Sequence, residues 1–565
     1  MRTATERVSE AYARIAEVDR PEVWIHLRER NDVLAEATAL DARAAAGEVL
    51  PLRGVLVAVK DNIDVAGLPT TAACPSFAYL PEVSAPAVSR LTEQGAIVLG
   101  KTNLDQFATG LVGTRSPYGA VRCATLPDRI SGGSSSGSAV AVALGIADLA
   151  LGTDTAGSGR VPAALQGIVG LKPTIGRIPT TGVVPASRSY DCVSVFARTV
   201  AAAEHAAEVM ASATGRPLPP DAPLAAPPDP TVGVPASSGL QGMSPGTVAA
   251  FNAAVQRLSA QGSKIVTIDV EPFVAAGKLL YSGAFIAERY AAVGPAVEAA
   301  VDADPSVRAI IGAAREIPAH ELVADTERLD LLRARAAKQL AGVDALLLPT
   351  VPEHPRLAEV AADPIGVNSR LGRFTSFVNL LDMAAIAVPA GTADDGPFGV
   401  SVLAPAFGDR VVADIARLLT GESAADAPPP AGLPLLVLGA HLSGEPLNGQ
   451  LRGARLIGPA RTSPDYRMLA LGTSPAQLGL LRTSTGGHQI DGELWSVPPA
   501  VLGELLAALP QPLMLGRVTL EDGRAVTGFL CEHAAADRAA DMVTATSPCP
   551  VAQDVRSKRR ASSIA

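Results

Sequence analysis

A chain of 565 residues, 48% hydrophobic and 18% charged, is too long for a single core and too apolar to be disordered. One large domain and at least one smaller one are therefore expected. A net charge of -9, with no basic cluster before Arg556-Ser557-Lys558-Arg559-Arg560, argues against nucleic acid as a main partner, because phosphate binding needs clustered Lys and Arg. The cysteines (Cys74, Cys123, Cys192, Cys531, Cys549) stand singly, without the paired spacing of a zinc site or a disulfide framework.

The opening Met1-Arg2-Thr3-Ala4-Thr5-Glu6 is polar and lacks the apolar core of a signal peptide. Residues 1 to about 50 are predicted helical, from frequent Ala and Glu and apolar residues at threes and fours, with Gly47 ending the pattern. Two short apolar runs then read as buried strands. Gly54-Val55-Leu56-Val57-Ala58-Val59 ends in Lys60-Asp61-Asn62, and Ala96-Ile97-Val98-Leu99-Gly100 ends in Lys101-Thr102-Asn103. Helical and strand-like stretches in alternation predict an α/β sheet with functional residues at the strand ends. The best apolar run, Ala139 to Ala147, is stopped by Asp148 and falls far short of the ~20 residues that span a bilayer. No membrane partner is expected, and the cytoplasm is the simplest compartment.

Further on, the proline-rich segment 216–230 reads as a surface connection within the large domain. Helical periodicity returns from about 245 to 345, and Asp344-Ala345-Leu346-Leu347-Leu348-Pro349 reads as another buried strand. Ala425-Asp426-Ala427-Pro428-Pro429-Pro430-Ala431-Gly432 has linker composition, which sets the large domain at 1–425. Short β-like runs at Pro434 to Gly439, Leu513 to Leu520 and Ala525 to Leu530 predict a second domain at 433–533. Residues 534–565, Ala-rich and then basic and Ser-rich, read as a loose tail.

Two clusters of small and hydroxylic residues carry the chemistry: Ser131-Gly132-Gly133-Ser134-Ser135-Ser136-Gly137-Ser138, and Gly152-Thr153-Asp154-Thr155-Ala156-Gly157-Ser158-Gly159-Arg160-Val161-Pro162. A phosphate cradle would fit a Gly-rich loop at a helix start, but neither GxxxxGK[ST] nor GxGxxG is present. Gly133 to Gly137 formally matches the GxSxG elbow, yet that elbow must follow a strand, and Ala124 to Arg129 is a poor one. No histidine lies between residues 27 and 204, leaving only His205 and His320 as remote triad partners. The third reading makes Lys60 the base: burial at the end of an apolar strand disfavours its charged form, and a chain of hydroxyls then joins it to the reacting atom. Backbone N–H groups of Thr155, Ala156, Gly157 and Ser158 are suited to stabilise an oxyanion.

Lys60-Asp61, Gly132 to Gly137 and Asp154 to Pro162, in this order and spacing, resemble the amidase signature family over about residues 1–420. The resemblance implies an α/β amidase-signature fold, a mixed twisted sheet covered by helices. It implies a Ser-Ser-Lys mechanism, with Lys60 as general base, Ser134 (after a cis peptide bond) as relay and Ser158 as nucleophile. Asp154 and Arg160 match the family's supporting polar residues.

Leu280-Tyr281-Ser282-Gly283-Ala284-Phe285-Ile286-Ala287-Glu288-Arg289-Tyr290 reads as one helix, on which residues eight apart return to within about 80° of each other, close enough for Tyr281 and Arg289 to reach one pocket. Arg289 offers a planar fork suited to a carboxylate. This stretch, and Asn103 to Gly119, resemble allophanate hydrolases, a branch of the same family. So do Gly439 to Asn448 and Gly492 to Pro498, which resemble their small α+β carboxyl-terminal domain of the γ-glutamylcyclotransferase-like type. The implied substrate is allophanate, cleaved at its terminal amide with release of ammonia, Arg289 and Tyr281 holding its carboxylate. The second domain is implied to promote decarboxylation, with His441 as candidate and Arg482 and Glu493 behind it. The resemblance also implies a biotin-dependent urea carboxylase as pathway partner and a homodimer; no metal or organic cofactor is implied. A broad-specificity amidase acting on neutral amides is the closest rival. An amidotransferase component serving tRNA would leave the second domain unexplained, and a degenerate binding scaffold would not keep Lys60, Ser134 and Ser158.

Overall fold

A computed structural model of the chain describes residues 2–211, 215–428, 432–471, 475, 477–533 and 540–541. All but two residues of the expected 534–565 tail, including its basic run, and part of the expected linker fall outside the described residues. Two compact units emerge: Met1–Pro217 with Pro228–Pro428, and Leu218–Pro227 with the residues from 429 onward. The proline-rich segment thus departs from its expected place, since 218–227 joins the second unit. There Leu224 N–H donates to Gly453 O and Arg455 Nε to Leu224 O, ties between positions too far apart in sequence for a local pattern to reveal.

The first unit is built on one mixed sheet: β1 (Trp24–Leu27), β2 (Leu56–Lys60), β3 (Ile97–Thr102), β4 (Leu149–Asp154), β5 (Val169–Lys172), β6 (Cys192–Ala197), β7 (Thr231–Pro235), β8 (Lys264–Ile268), β9 (Ala345–Pro349), β10 (Met383–Ala393) and β11 (Gly396–Pro405). Their spatial order is β1-β3-β2-β4-β6-β5-β10-β11-β9-β7-β8. β3, β2 and β4 run parallel, as do β9, β7 and β8; the remaining pairs are antiparallel. Every residue of β2, β3 and β4 is buried, which is why these strands read as continuous apolar runs without alternation.

Helices Ala4–Val18 and Arg30–Ala45 place Val8, Ala11, Val33, Ala37 and Leu40 in one core with Leu56, Ala58, Ile97, Leu99 and Ala150. Small and branched side chains fill this layer, as a chain with only 4% aromatics requires. The predicted helical block at 1–50 is two helices separated by β1; Asp19 takes a left-handed conformation and Pro21 follows, and together they stop the first helix. The block at 245–345 likewise holds several helices and also β8, whose five residues have an irregular exposure pattern with little signal of its own.

The second unit is an eight-stranded sheet of β12 (Leu433–Val437), β13 (Arg455–Arg461), β14 (Tyr466–Ala470), β15 (Leu478–Arg482), β16 (Asp491–Val497), β17 (Leu513–Thr519), β18 (Ala525–Cys531) and β19 (Ala540–Asp541), with helix Pro499–Ala508. Leu435, Val437, Leu469, Trp495, Val497, Leu505 and Phe529 form its core. The expected runs at 434–439, 513–520 and 525–530 are β12, β17 and β18. Among the described residues, no helix is long and apolar enough to cross a membrane.

Candidate active site

Parallel pairing of β2 with β4 brings Lys60, at the end of one strand, beside Thr153, near the end of the other. Lys60 Nζ lies 2.8 Å from Thr153 Oγ1 and 2.8 Å from Ser134 Oγ. Lys60 is wholly buried, and burial lowers its pKa from 10.5 to about 7; Asp105, Asp154 and Asp191 oppose the shift and Arg289 adds to it. A lysine that loses its proton near neutrality can accept another from a hydroxyl.

The structure separates the serines of the first cluster. Ser135 Oγ donates to Thr153 O, Ser136 Oγ to Asn103 O, and Ser138 Oγ to Leu151 O, so these three fasten helix Ser136–Ala143 to the neighbouring strands. Ser134 alone turns to Lys60, and the Gly133–Ser134 peptide bond is cis, as the family resemblance implied. Asp105 holds the surrounding loop: its carboxylate accepts the backbone N–H groups of Val112, Gly113 and Arg115 at 2.9 to 3.2 Å. A Cβ on Gly133 would sit 2.1 Å from Asp105 Oδ2, so this approach admits only glycine. Asp105 lay within a stretch read for family likeness, and a lone buried carboxylate leaves no sequence pattern of its own.

Ser158 lies in the turn between β4 and helix Val161–Gln166, 4% exposed. Asp154 shapes this turn: Oδ1 accepts Gly157 N–H at 3.0 Å and Oδ2 accepts Gly159 N–H at 2.9 Å. Arg160 grips the same carboxylate with Nε and Nη2 at 2.9 and 2.8 Å, and its Nη1 and Nη2 reach Thr375 O. Burial works against the Asp154 charge, but Arg160, the Lys172 charge and the Gly159 N–H hold its pKa below the ordinary range. Of the four N–H groups expected to face an oxyanion, that of Gly157 donates to Asp154 instead. Gly157 itself has φ +129°, and a Cβ there would meet Thr375 Oγ1 at 2.4 Å. No hydrogen bond joins Ser134 to Ser158 among the described residues.

Tyr281 and Arg289 are not on one helix. Helix Glu271–Ser282 ends at Gly283, Ala284 N–H donates to Asp325 Oδ2, and a second helix runs Ile286–Ala299. The two side chains still meet across the break, with Arg289 Nη2 3.5 Å from Tyr281 Oη and the guanidinium over the ring at 5.7 Å. Arg289 Nη1 donates to Phe107 O and Thr109 Oγ1. Arg289 is 2% exposed, and among the described residues it forms no ion pair with a carboxylate. In the second unit His441 is buried, stacked on Phe529 at 4.6 Å, with Nε2 3.1 Å from Gln450 Oε1; burial lowers its pKa. Glu493 accepts from Ser443 and from Trp495 Nε1, and Arg482 donates to Tyr466 Oη. Two open clefts of the first unit, of about 1130 and 640 Å³, are lined by none of Lys60, Ser134, Ser158, Tyr281 and Arg289; the larger runs along the break between the two helices, past Gly283, Ala284 and Asp325.

Residues 6–412 match the family model described as Amidase, and residues 433–547 match the allophanate hydrolase C-terminal domain. The chain belongs to the amidase family and is an amidohydrolase by that membership. Within the family its likeness is to allophanate hydrolases. It is 39% identical to the Kluyveromyces lactis allophanate hydrolase structure, TM-score 0.83, with 94% of this chain and 93% of that one covered. It is 40% identical to Saccharomyces cerevisiae urea amidolyase over 92% of this chain, but spans 30% of that protein's length. A more distant relative, the 2-amino-5-chloromuconic acid deaminase of Comamonas testosteroni, is 37% identical over 68% of this chain and 84% of its own length.

Proposed function

We propose that the chain hydrolyses allophanate at its terminal amide. Lys60 Nζ lies within hydrogen-bond reach of Ser134 Oγ and Thr153 Oγ1, and with a pKa of about 7 a large fraction of it is neutral at pH 7 and able to accept the Ser134 proton; this Lys60–Ser134 contact is the observation that carries the reading. Ser134 passes its proton to Lys60 and takes that of Ser158, whose Oγ attacks the amide carbonyl carbon. Backbone N–H groups of Thr155, Ala156 and Ser158 face the developing oxyanion. Collapse breaks the C–N bond, and the proton returns through Ser134 to the leaving ammonia. Water, deprotonated along the same route, then frees Ser158 and releases N-carboxycarbamate. Arg289 and Tyr281 hold the carboxylate at the far end of the substrate, which a site for neutral amides would not require.

In the second unit His441 is the candidate for promoting loss of carbon dioxide from that product. Its stacked, buried setting calls for a direct check, in which His441→Phe slows decarboxylation and spares ammonia release. The S. cerevisiae relative's name, urea amidolyase, supports a place beside a biotin-dependent urea carboxylase. A cytoplasmic homodimer completes the reading.

Ammonia release from freshly prepared allophanate, with a neutral amide of similar size alongside and Ser158→Ala as blank, tests the assignment. Preference for allophanate, lost in Ser158→Ala, supports it; turnover of the neutral amide alone overturns the substrate.

A further inference from the structure

Asp191, the residue before β6, is a buried carboxylate outside the Lys60–Ser134–Ser158 set, and both of its oxygens are occupied. Oδ1 accepts Thr155 Oγ1 at 2.5 Å and Ser187 N–H at 3.1 Å; Oδ2 accepts Ala186 N–H at 2.9 Å and Ser187 N–H at 3.1 Å. Thr155 opens the turn that carries Ser158, and the β4–β6 pairing sets Cys192 opposite Asp154. Loop 186–191 is therefore fixed to the nucleophile turn by a side chain and by the sheet.

The same loop is held from the other side. Glu288 Oε2 accepts Ser187 Oγ at 2.7 Å and Ser189 N–H at 3.0 Å, and Glu288 directly precedes Arg289 on helix Ile286–Ala299. The Tyr190 ring meets Phe285 edge-on at 5.8 Å, just ahead of that helix. Asn379 Nδ2 donates to both Tyr190 O and Asp154 O at 2.8 Å, closing the connection between loop and turn.

We propose that Asp191 and Glu288 are positioning residues which, through loop 186–191, set the spacing between the Ser158 turn and Arg289, so that a substrate held by its carboxylate presents its amide carbonyl to Ser158. The proposal rests on the reading of Ser158 as nucleophile and Arg289 as carboxylate site. Reacting atoms must come within about 3–3.5 Å, and a misplacement of about 1 Å costs on the order of 10²-fold in rate. The two carboxylates have different demands. Asp191 needs two acceptor oxygens, so an asparagine would turn an NH₂ toward a donor. Glu288 uses one oxygen, which a glutamine amide supplies equally well.

The test measures kcat and KM for allophanate and for a small neutral amide in Glu288→Ala, Glu288→Gln, Asp191→Asn, Thr155→Val and Thr155→Ser, with thermal midpoints alongside. Thr155→Val and Asp191→Asn should lower kcat on both substrates by about 10²-fold, with KM nearly unchanged, while Thr155→Ser, which keeps the hydroxyl for Asp191, should recover at least about tenfold of the Thr155→Val loss. Glu288→Ala should lower kcat for allophanate by about tenfold or more and leave the neutral amide little changed, while Glu288→Gln restores it. Folded Thr155→Val with wild-type kcat, or equal losses on both substrates in Glu288→Ala, overturns the brace. If Asp191→Asn does not fold, the Thr155 pair decides. A wild-type enzyme active only on the neutral amide overturns the substrate assignment instead, and the Thr155 pair still reads the brace on that amide.

Discussion

Lys60 joins stability to rate in a way that can be measured. Burial takes its pKa from 10.5 to about 7, a difference of about 5 kcal/mol at about 1.4 kcal/mol per unit. Below about pH 7 the lysine is protonated in folded and unfolded chains alike, and the folded state carries the whole penalty. Between about 7 and 10.5 the unfolded chain binds the additional proton, so stability rises with pH; above that window the penalty is gone. Lys60→Met should abolish turnover and stabilise the fold at neutral pH. The gain falls short of the full figure because Met gives up the bonds to Ser134 and Thr153. The advantage of Lys60→Met should shrink by about 3 kcal/mol between pH 6.5 and 9. Guanidinium unfolding at the two pH values measures it. In the wild type, kcat/KM should climb about tenfold per pH unit below about pH 7 and then level off, because only neutral Lys60 accepts a proton. A flat rate profile across pH 5.5 to 8.5, or a stability difference unchanged between the two pH values, would refute the reasoning.

Arg289→Ala should raise KM for carboxylated substrates by more than about tenfold and leave neutral amides within about twofold, read from initial rates on both. Gly157→Ala forces a side chain onto Thr375 at a left-handed position; turnover should collapse, and unfolding should show a loss of about 1–3 kcal/mol. Asp154→Asn strips the wholly buried Arg160 of its counter-charge, which should cost about 3–5 kcal/mol in guanidinium unfolding.

The chain's local patterns determined a good deal. Apolar runs ending at Lys60 and Thr102 marked two strands of the parallel core, because strands buried on both faces cannot alternate. The order of Lys60, Ser134 and Ser158 pointed to one chemistry, since that set needs a buried amine and two hydroxyls. The helical reading of 1–50 and 245–345 was right in kind and missed β1 and β8, which have four and five residues and owe their existence to partners elsewhere in the sheet.

What only the tertiary structure decided depends on contacts between residues distant in sequence. The first cluster's hydroxyls look alike in local sequence, and the contact that sets Ser134 apart from Ser135, Ser136 and Ser138 is to a lysine 74 positions away. The apolar run before Lys60 announced its burial, but the extent of that burial and the fall of its pKa to about 7 come from the packed surroundings. Gly157 N–H is claimed by Asp154, and Tyr281 meets Arg289 across a break where one continuous helix was expected. Asp105 and Asp191 leave no mark in the sequence for the same reason. A carboxylate's role is set by the donors that converge on it, and those converge only when the chain has folded.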